Sequence, residues 1–86
     1  MQMSDWTMLQ TLYECRNLTR AAELLYLSQP TLTRRLQCLE KELGVSIAIR
    51  SKRGIVFTPE GEYLAVKAAQ IQSIMQEVRT HLAQTE

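Results

Sequence analysis

The sequence predicts a mainly α fold: three helices, a two-stranded β-hairpin and a long fourth helix. Three observations carry that expectation. Apolar residues recur at three- and four-residue spacing in separate stretches, each preceded by a residue that can cap a helix. Two β-branched runs, "SIAIR" and "IVFT", flank the turn-like "SKRG". No helix breaker follows Gly61, so the last helix should run for roughly twenty-five residues. Eighty-six residues suit one small domain with a modest core.

The elements follow in order. Ser4 is the expected N-cap of the first helix, and Asp5 suits the positive end of its dipole. Trp6, Leu9, Leu12 and Tyr13 give this helix one buried face. "CRNL" breaks it. Asn17 then caps a short second helix, "LTRAAELL", in which Ala21 and Ala22 are small enough to let another helix approach.

The stretch "SQPTLTRR" opens the third helix. Ser28 is the N-cap, and Pro30 falls in the first turn, where a missing N–H costs nothing. Leu27 and Leu32 flank the cap as a hydrophobic staple. Leu32, Leu36, Leu39 and Leu43 form an apolar face, and Gly44 ends the helix. The opposite face carries Pro30, Arg34, Gln37 and Lys41, with Thr33 on its flank and Arg35 to one side. Two helices joined by a tight turn, the second apolar behind and polar in front, follow the helix-turn-helix plan.

The hairpin comes next, with Gly54 supplying a positive φ at the turn and Lys52 and Arg53 at its tip. A hairpin after a helix-turn-helix is a wing. Residues 1–58 therefore read as a winged helix-turn-helix domain and residues 59–86 as a linker helix. Thr58 caps that helix, with Pro59 and Glu60 in its first turn. Leu64, Ala68, Ile71, Met75, Val78 and Leu82 fall in an a/d heptad register. Part of this face should pack on the first helix, and the rest is expected to be a dimer seam.

Composition narrows the function. The net charge of +1 implies no acidic partner by itself. Its distribution is uneven: Arg34, Arg35, Lys41, Arg50, Lys52 and Arg53 stand against Glu40 and Glu42, a net +4 within residues 28–58. Charge concentrated in the middle third is expected of a phosphate-facing surface. Cys15 and Cys38 form no CxxC, and His81 has no ligand partner at helical spacing, so neither metal nor disulfide framework is expected. No catalytic set and no phosphate-cradling glycine loop is visible, so neither enzyme activity nor a cofactor is expected. Apolar runs are too short to span a membrane, and "MQMSDWTM" does not read as a secretion signal. The cytoplasm, at the nucleoid, is the expected location.

The stretch "LTRAAELLYLSQPTLTRRLQCLEKELGVSIAIR", then Arg53, then "TPEG" at Thr58 to Gly61, resembles the DNA-binding domain of bacterial LysR-type transcriptional regulators. The resemblance covers about residues 3–65, and the last helix fits that family's linker helix. It implies sequence-specific binding of double-stranded DNA by a homodimer paired through antiparallel linker helices. The full-length protein could then assemble further into a tetramer. Two heads would read an interrupted palindrome near a promoter, with RNA polymerase as a further partner. A C-terminal effector-binding domain, absent from these residues, would sense a small molecule. Gln29, Pro30, Thr33 and Arg34 match positions that meet base edges, and Gln37 shares their face. Ser28 and Thr31 match positions near the phosphate backbone. Arg53, beside Lys52, matches a basic residue at the minor groove.

This chain departs from the family pattern at Thr33, where serine is usual, and at Arg16, where glycine is frequent. Ala48 replaces a usual Phe, and Phe57, where leucine is frequent, is expected to refill that volume. Within the resemblance, Ser28 and the first amides of the third helix would seat a phosphate. Gln29 would pair with adenine, Arg34 with guanine, and Pro30 would touch a thymine methyl. Arg35, Lys41 and Lys52 would meet phosphates or solvent, and Arg50 would pair with Glu40 or Glu42. Two other readings remain: a coiled-coil protein-interaction module, and a related DNA-binding head with a different sensor, as in molybdate-responsive regulators.

Overall fold

The computed structural model describes residues 1–84, so positions 85–86 of the expected linker helix lie outside the described residues. The order is helix α1 (Met3–Cys15), α2 (Leu18–Leu24), α3 (Gln29–Leu43), strand β1 (Ala48–Ser51), β2 (Gly54–Phe57) and α4 (Pro59–Ala83). This is the expected mainly α winged helix-turn-helix with a long terminal helix. No helix among the described residues is long and apolar enough to cross a membrane.

Helix α1 starts earlier than its best capping residue suggested. Gln2, not Ser4, is the N-cap. The Asp5 carboxylate accepts the Gln2 N–H at 2.8 Å, which requires Asp5 at the third helical position and puts Ser4 inside the first turn. Met8, Leu9 and Leu12 are buried, while Trp6 and Tyr13 pack on the core only in part. Asn17 caps α2 as expected, its side chain accepting from the Arg20 N–H at 3.0 Å. The α2–α3 turn runs through Tyr26 at φ 57. This left-handed residue reverses the chain between Leu25 and Leu27, which pack on the core, and leaves its own ring 95% exposed.

Leu32, Leu36 and Leu39 carry α3 into the core, and Gly44 ends it at φ 71. The two strands pair antiparallel, with Ala48 opposite Phe57 and Arg50 opposite Ile55. Phe57 is buried, and its ring meets Tyr13 edge-on at 5.0 Å. The second strand thus supplies the aromatic volume that Ala48 lacks. The turn end of the wing is fastened to the end of α1. There, Arg16 adopts φ 51 and its carbonyl accepts the Ile55 N–H at 3.0 Å. Gly54, at φ +114, is required at this contact, because a Cβ there would lie 2.6 Å from the Arg16 carbonyl oxygen.

Thr58 joins the wing to α4. Its Oγ1 accepts the Gly61 N–H at 2.9 Å and donates to the Ser46 carbonyl at 2.6 Å. Farther along, Ala65 and Ala68 bury against the body, and Gln72 Nε2 donates to Thr7 Oγ1 of α1 at 2.8 Å. From Gln76 onward the helix stands clear: residues 76–84 are all exposed, and the molecule measures 51 × 25 × 21 Å.

The expected seam therefore divides. Ala68 is fully buried in its own chain and Leu64 packs on the core beside Leu43 and Val45, so both face their own body. Ile71 and Met75 are half-buried, while Val78 and Leu82 are exposed. Tyr63, Val66 and Ile74, outside the heptad register, are also exposed. The heptad stripe is one face: the body covers its first half and leaves Val78 and Leu82 exposed, with Tyr63, Val66 and Ile74 beside it.

Gly61 gives this arrangement its sharpest test. A Cβ there would run into the Ile47 carbonyl oxygen and come within 3.0 Å of the Phe57 ring. Gly61→Ala should destabilise the chain by about 1–3 kcal/mol, the usual cost of overpacking. Urea denaturation followed by circular dichroism reads this as a lower midpoint with an unchanged slope.

Candidate nucleic-acid interface

The polar face of α3 starts at its cap. Ser28 Oγ accepts the Thr31 N–H at 3.2 Å and donates to Thr31 Oγ1 at 2.8 Å. The Ser28 carbonyl takes the Leu32 N–H at 3.0 Å, and Pro30 has no N–H. The Gln29 amide is thus the first-turn donor left pointing out of the helix start. A phosphate seated here would meet that amide and the Ser28–Thr31 hydroxyl pair, a smaller set of donors than the sequence suggested.

Gln29, Pro30, Thr33, Arg34 and Gln37 line one concavity, together with Leu18 of α2 and Arg50 of β1. An adjoining concavity runs to the wing tip and is lined by Arg16, Asn17, Thr19, Lys52 and Arg53, again with Gln29 and Arg50. Gln29 and Arg50 therefore stand where the two meet. Gln29 Nε2 donates to Thr19 Oγ1 at 2.8 Å, joining the start of α3 to α2. The wing turn is closed by Ser51, whose Oγ accepts the Arg53 N–H at 3.3 Å and donates to the Gly54 carbonyl at 3.2 Å. That closure projects Lys52 and Arg53 into solvent.

Two expected roles change. Arg50 pairs with neither Glu40 nor Glu42. Glu40 Oε2 instead accepts the Ile47 N–H at 2.7 Å and the Ala48 N–H at 3.4 Å, and Glu42 meets the Met1 amine at 2.8 Å. The amides that open the wing lie directly against Glu40, so the carboxylate serves the backbone. Arg35 lies 4.0 Å from the Asp5 carboxylate, linking α3 to α1 rather than facing a groove. Arg16 is also partly engaged: its Nε donates to the Tyr13 carbonyl at 3.2 Å, with the guanidinium 4.5 Å above the Tyr13 ring. Among the described residues, the ion pairs involve none of Arg34, Arg50, Lys52 or Arg53. These four exposed cations fall on the two adjoining concavities.

Sequence reasoning missed Thr19 and misjudged Arg50. The strand alternation held the clue for Arg50, since the residue lies on the same sheet face as Ala48 and Phe57. Thr19 carried no comparable signal, because its contact depends on the angle between α2 and α3.

A winged helix-turn-helix with a solvent-facing polar recognition helix beside a basic wing defines a class of DNA-binding heads. The pattern of the bacterial regulatory helix-turn-helix proteins, lysR family, matches residues 3–62, and the chain belongs to that family. The match falls on the head rather than on α4, which decides against a bare coiled-coil module. The chain is 35% identical over 83 residues to the uncharacterized HTH-type transcriptional regulator YraN of Bacillus subtilis (strain 168), covering 96% of this chain and 29% of that protein. It is 37% identical over 79 residues to the DNA-binding transcriptional dual regulator OxyR of Escherichia coli (strain K12), covering 92% and 25%. Among solved structures, the CbnR DNA-binding domain in complex with DNA superposes with a TM-score of 0.85 at 32% identity, covering 99% of this chain and all of that one. The chain thus spans under a third of the length of these full-length relatives.

Proposed function

We propose that this chain is the sequence-reading head of a dimeric bacterial transcriptional regulator. The observation that carries the reading is the gathering of α3's polar face, Arg50 and the wing tip on two adjoining concavities. Gln29, Pro30, Thr33 and Arg34 meet base edges in the major groove, with Gln37 on the same face. Gln29 suits adenine and Arg34 suits guanine, each bidentate pair worth about 1–3 kcal/mol of discrimination. Ser28, Thr31, Arg50 and Lys52 hold phosphates, and Arg53 borders the minor groove. Phosphate contacts fix register, and base contacts choose sequence.

Dimerisation rests on α4. Its 25 residues span about 37 Å, longer than the body beneath it can cover. Ile74, Val78 and Leu82 are 58%, 43% and 62% exposed. Pairing of two such helices, antiparallel as the family resemblance implies, joins two heads on an interrupted palindrome and raises the effective concentration of the second head. The seam in this reading runs from Ile71 through Ile74, Met75 and Val78 to Leu82. An effector-binding domain outside these residues, a tetramer of the full-length protein, contact with RNA polymerase and a cytoplasmic location on the nucleoid complete the proposal.

Two measurements test it. Selection of bound duplexes from a random pool should show Arg34→Ala flattening base preference at particular positions. Lys52→Ala should weaken every duplex alike and lower the salt slope by about one contact. Identical behaviour of the two variants contradicts the division between base and backbone contacts. For the seam, Ile74→Arg with Val78→Arg should weaken binding to a two-half-site operator while leaving the melting temperature of the head in place. Sedimentation should show the variant as a monomer, and equal operator affinity for variant and parent would exclude the seam.

A further inference from the structure

We infer that Thr19, a residue of α2, is a positioning residue that sets the base preference of Gln29. The inference rests on the reading that Gln29 meets a base edge. Glutamine has three rotatable side-chain bonds, and Gln29 is exposed at the first position of α3. Such a side chain needs a partner if its amide plane is to be fixed before DNA arrives. Thr19 supplies one, accepting from Nε2 at 2.8 Å. Thr19 is itself held firmly, because the neighbouring Leu18, Ala21 and Ala22 are buried and the Asn17 side chain caps the helix.

The atoms used matter. An amide nitrogen carries two hydrogens and the amide oxygen two lone pairs. The bond to Thr19 consumes one hydrogen. The other N–H and Oε1 remain, an adjacent donor and acceptor that match N7 and the N6 amine of adenine. The bond fixes the plane of the Gln29 amide, and once the Thr19 proton is given to a phosphate, the flipped amide, with its oxygen against Thr19, loses its partner. Thr19 thereby sharpens recognition without touching a base, and its hydroxyl keeps a proton to donate into the basic concavity it lines.

Thr19→Val removes the hydroxyl while keeping the shape. In a random-pool selection with this 86-residue chain, Gln29→Ala first identifies the base position that Gln29 reads. Thr19→Val should then lower preference at that same position by roughly two- to tenfold, the range expected for one hydrogen bond. Preference elsewhere and the melting temperature should stay as in the parent. Thr19→Ser, which restores the hydroxyl, should restore the preference, and Thr19→Ala should behave as Thr19→Val does. The inference is overturned if Thr19→Val keeps the parent's preference, if it weakens all sequences alike, or if Thr19→Ser fails to rescue. Should Gln29→Ala change no position, the reading of Gln29 itself fails and the inference falls with it. A normal Gln29→Ala effect beside a silent Thr19→Val sinks the inference alone.

Discussion

Ile47 joins three elements through its side chain and both of its backbone groups. Its N–H donates to Glu40 of α3, its carbonyl accepts the Thr58 N–H at 3.0 Å, and its side chain is fully buried. Gly61 lets the first turn of α4 press against the same carbonyl. The recognition helix, the wing and the linker helix therefore take their relative positions from one residue. A surface built from two elements needs such a fixed point, because a small shift of the wing against α3 would move Arg50, Lys52 and Arg53 away from the polar face of that helix.

Around that point the charges are sorted by use. Glu40 is occupied by backbone amides and Arg35 pairs with Asp5, so each ties elements together. Both ion-pair partners at Arg35 are partly exposed, and such a pair contributes little stability by itself. Its consequence is directional: Arg35 turns toward α1, which leaves Arg34 as the α3 arginine on the polar concavity. Among the described residues Arg50 is in no ion pair, while Glu40 gives its Oε2 to the amides that open the wing. The local excess of positive charge then faces one side, where it attracts a polyanion.

Local signals were legible in the sequence. Ser28, Pro30, Gly44, Gly54, Thr58 and Pro59 mark element ends through backbone chemistry that acts over a few residues, and the structure places each at the end it marks. The exchange of aromatic volume between positions 48 and 57 came from the family resemblance, and the register puts these residues opposite one another. What failed depended on distance through space. Glu40 and Arg50 looked like partners because both are charged, but the Ile47 amide competes for the carboxylate. The last helix read as one seam because a heptad pattern cannot tell how much of the stripe its own body covers. At the start of α1, Asp5 outweighed the stronger intrinsic cap at Ser4.

One face of the head, formed by α3 and the wing, is the surface proposed to receive DNA. A titration of the isotope-labelled chain with duplex DNA, followed by amide chemical shifts, tests this most directly. The largest changes should fall at residues 28–37 and 50–54, with residue 19 among them, and they should shrink as salt rises. Changes concentrated on α4, or spread evenly over the molecule, would contradict it.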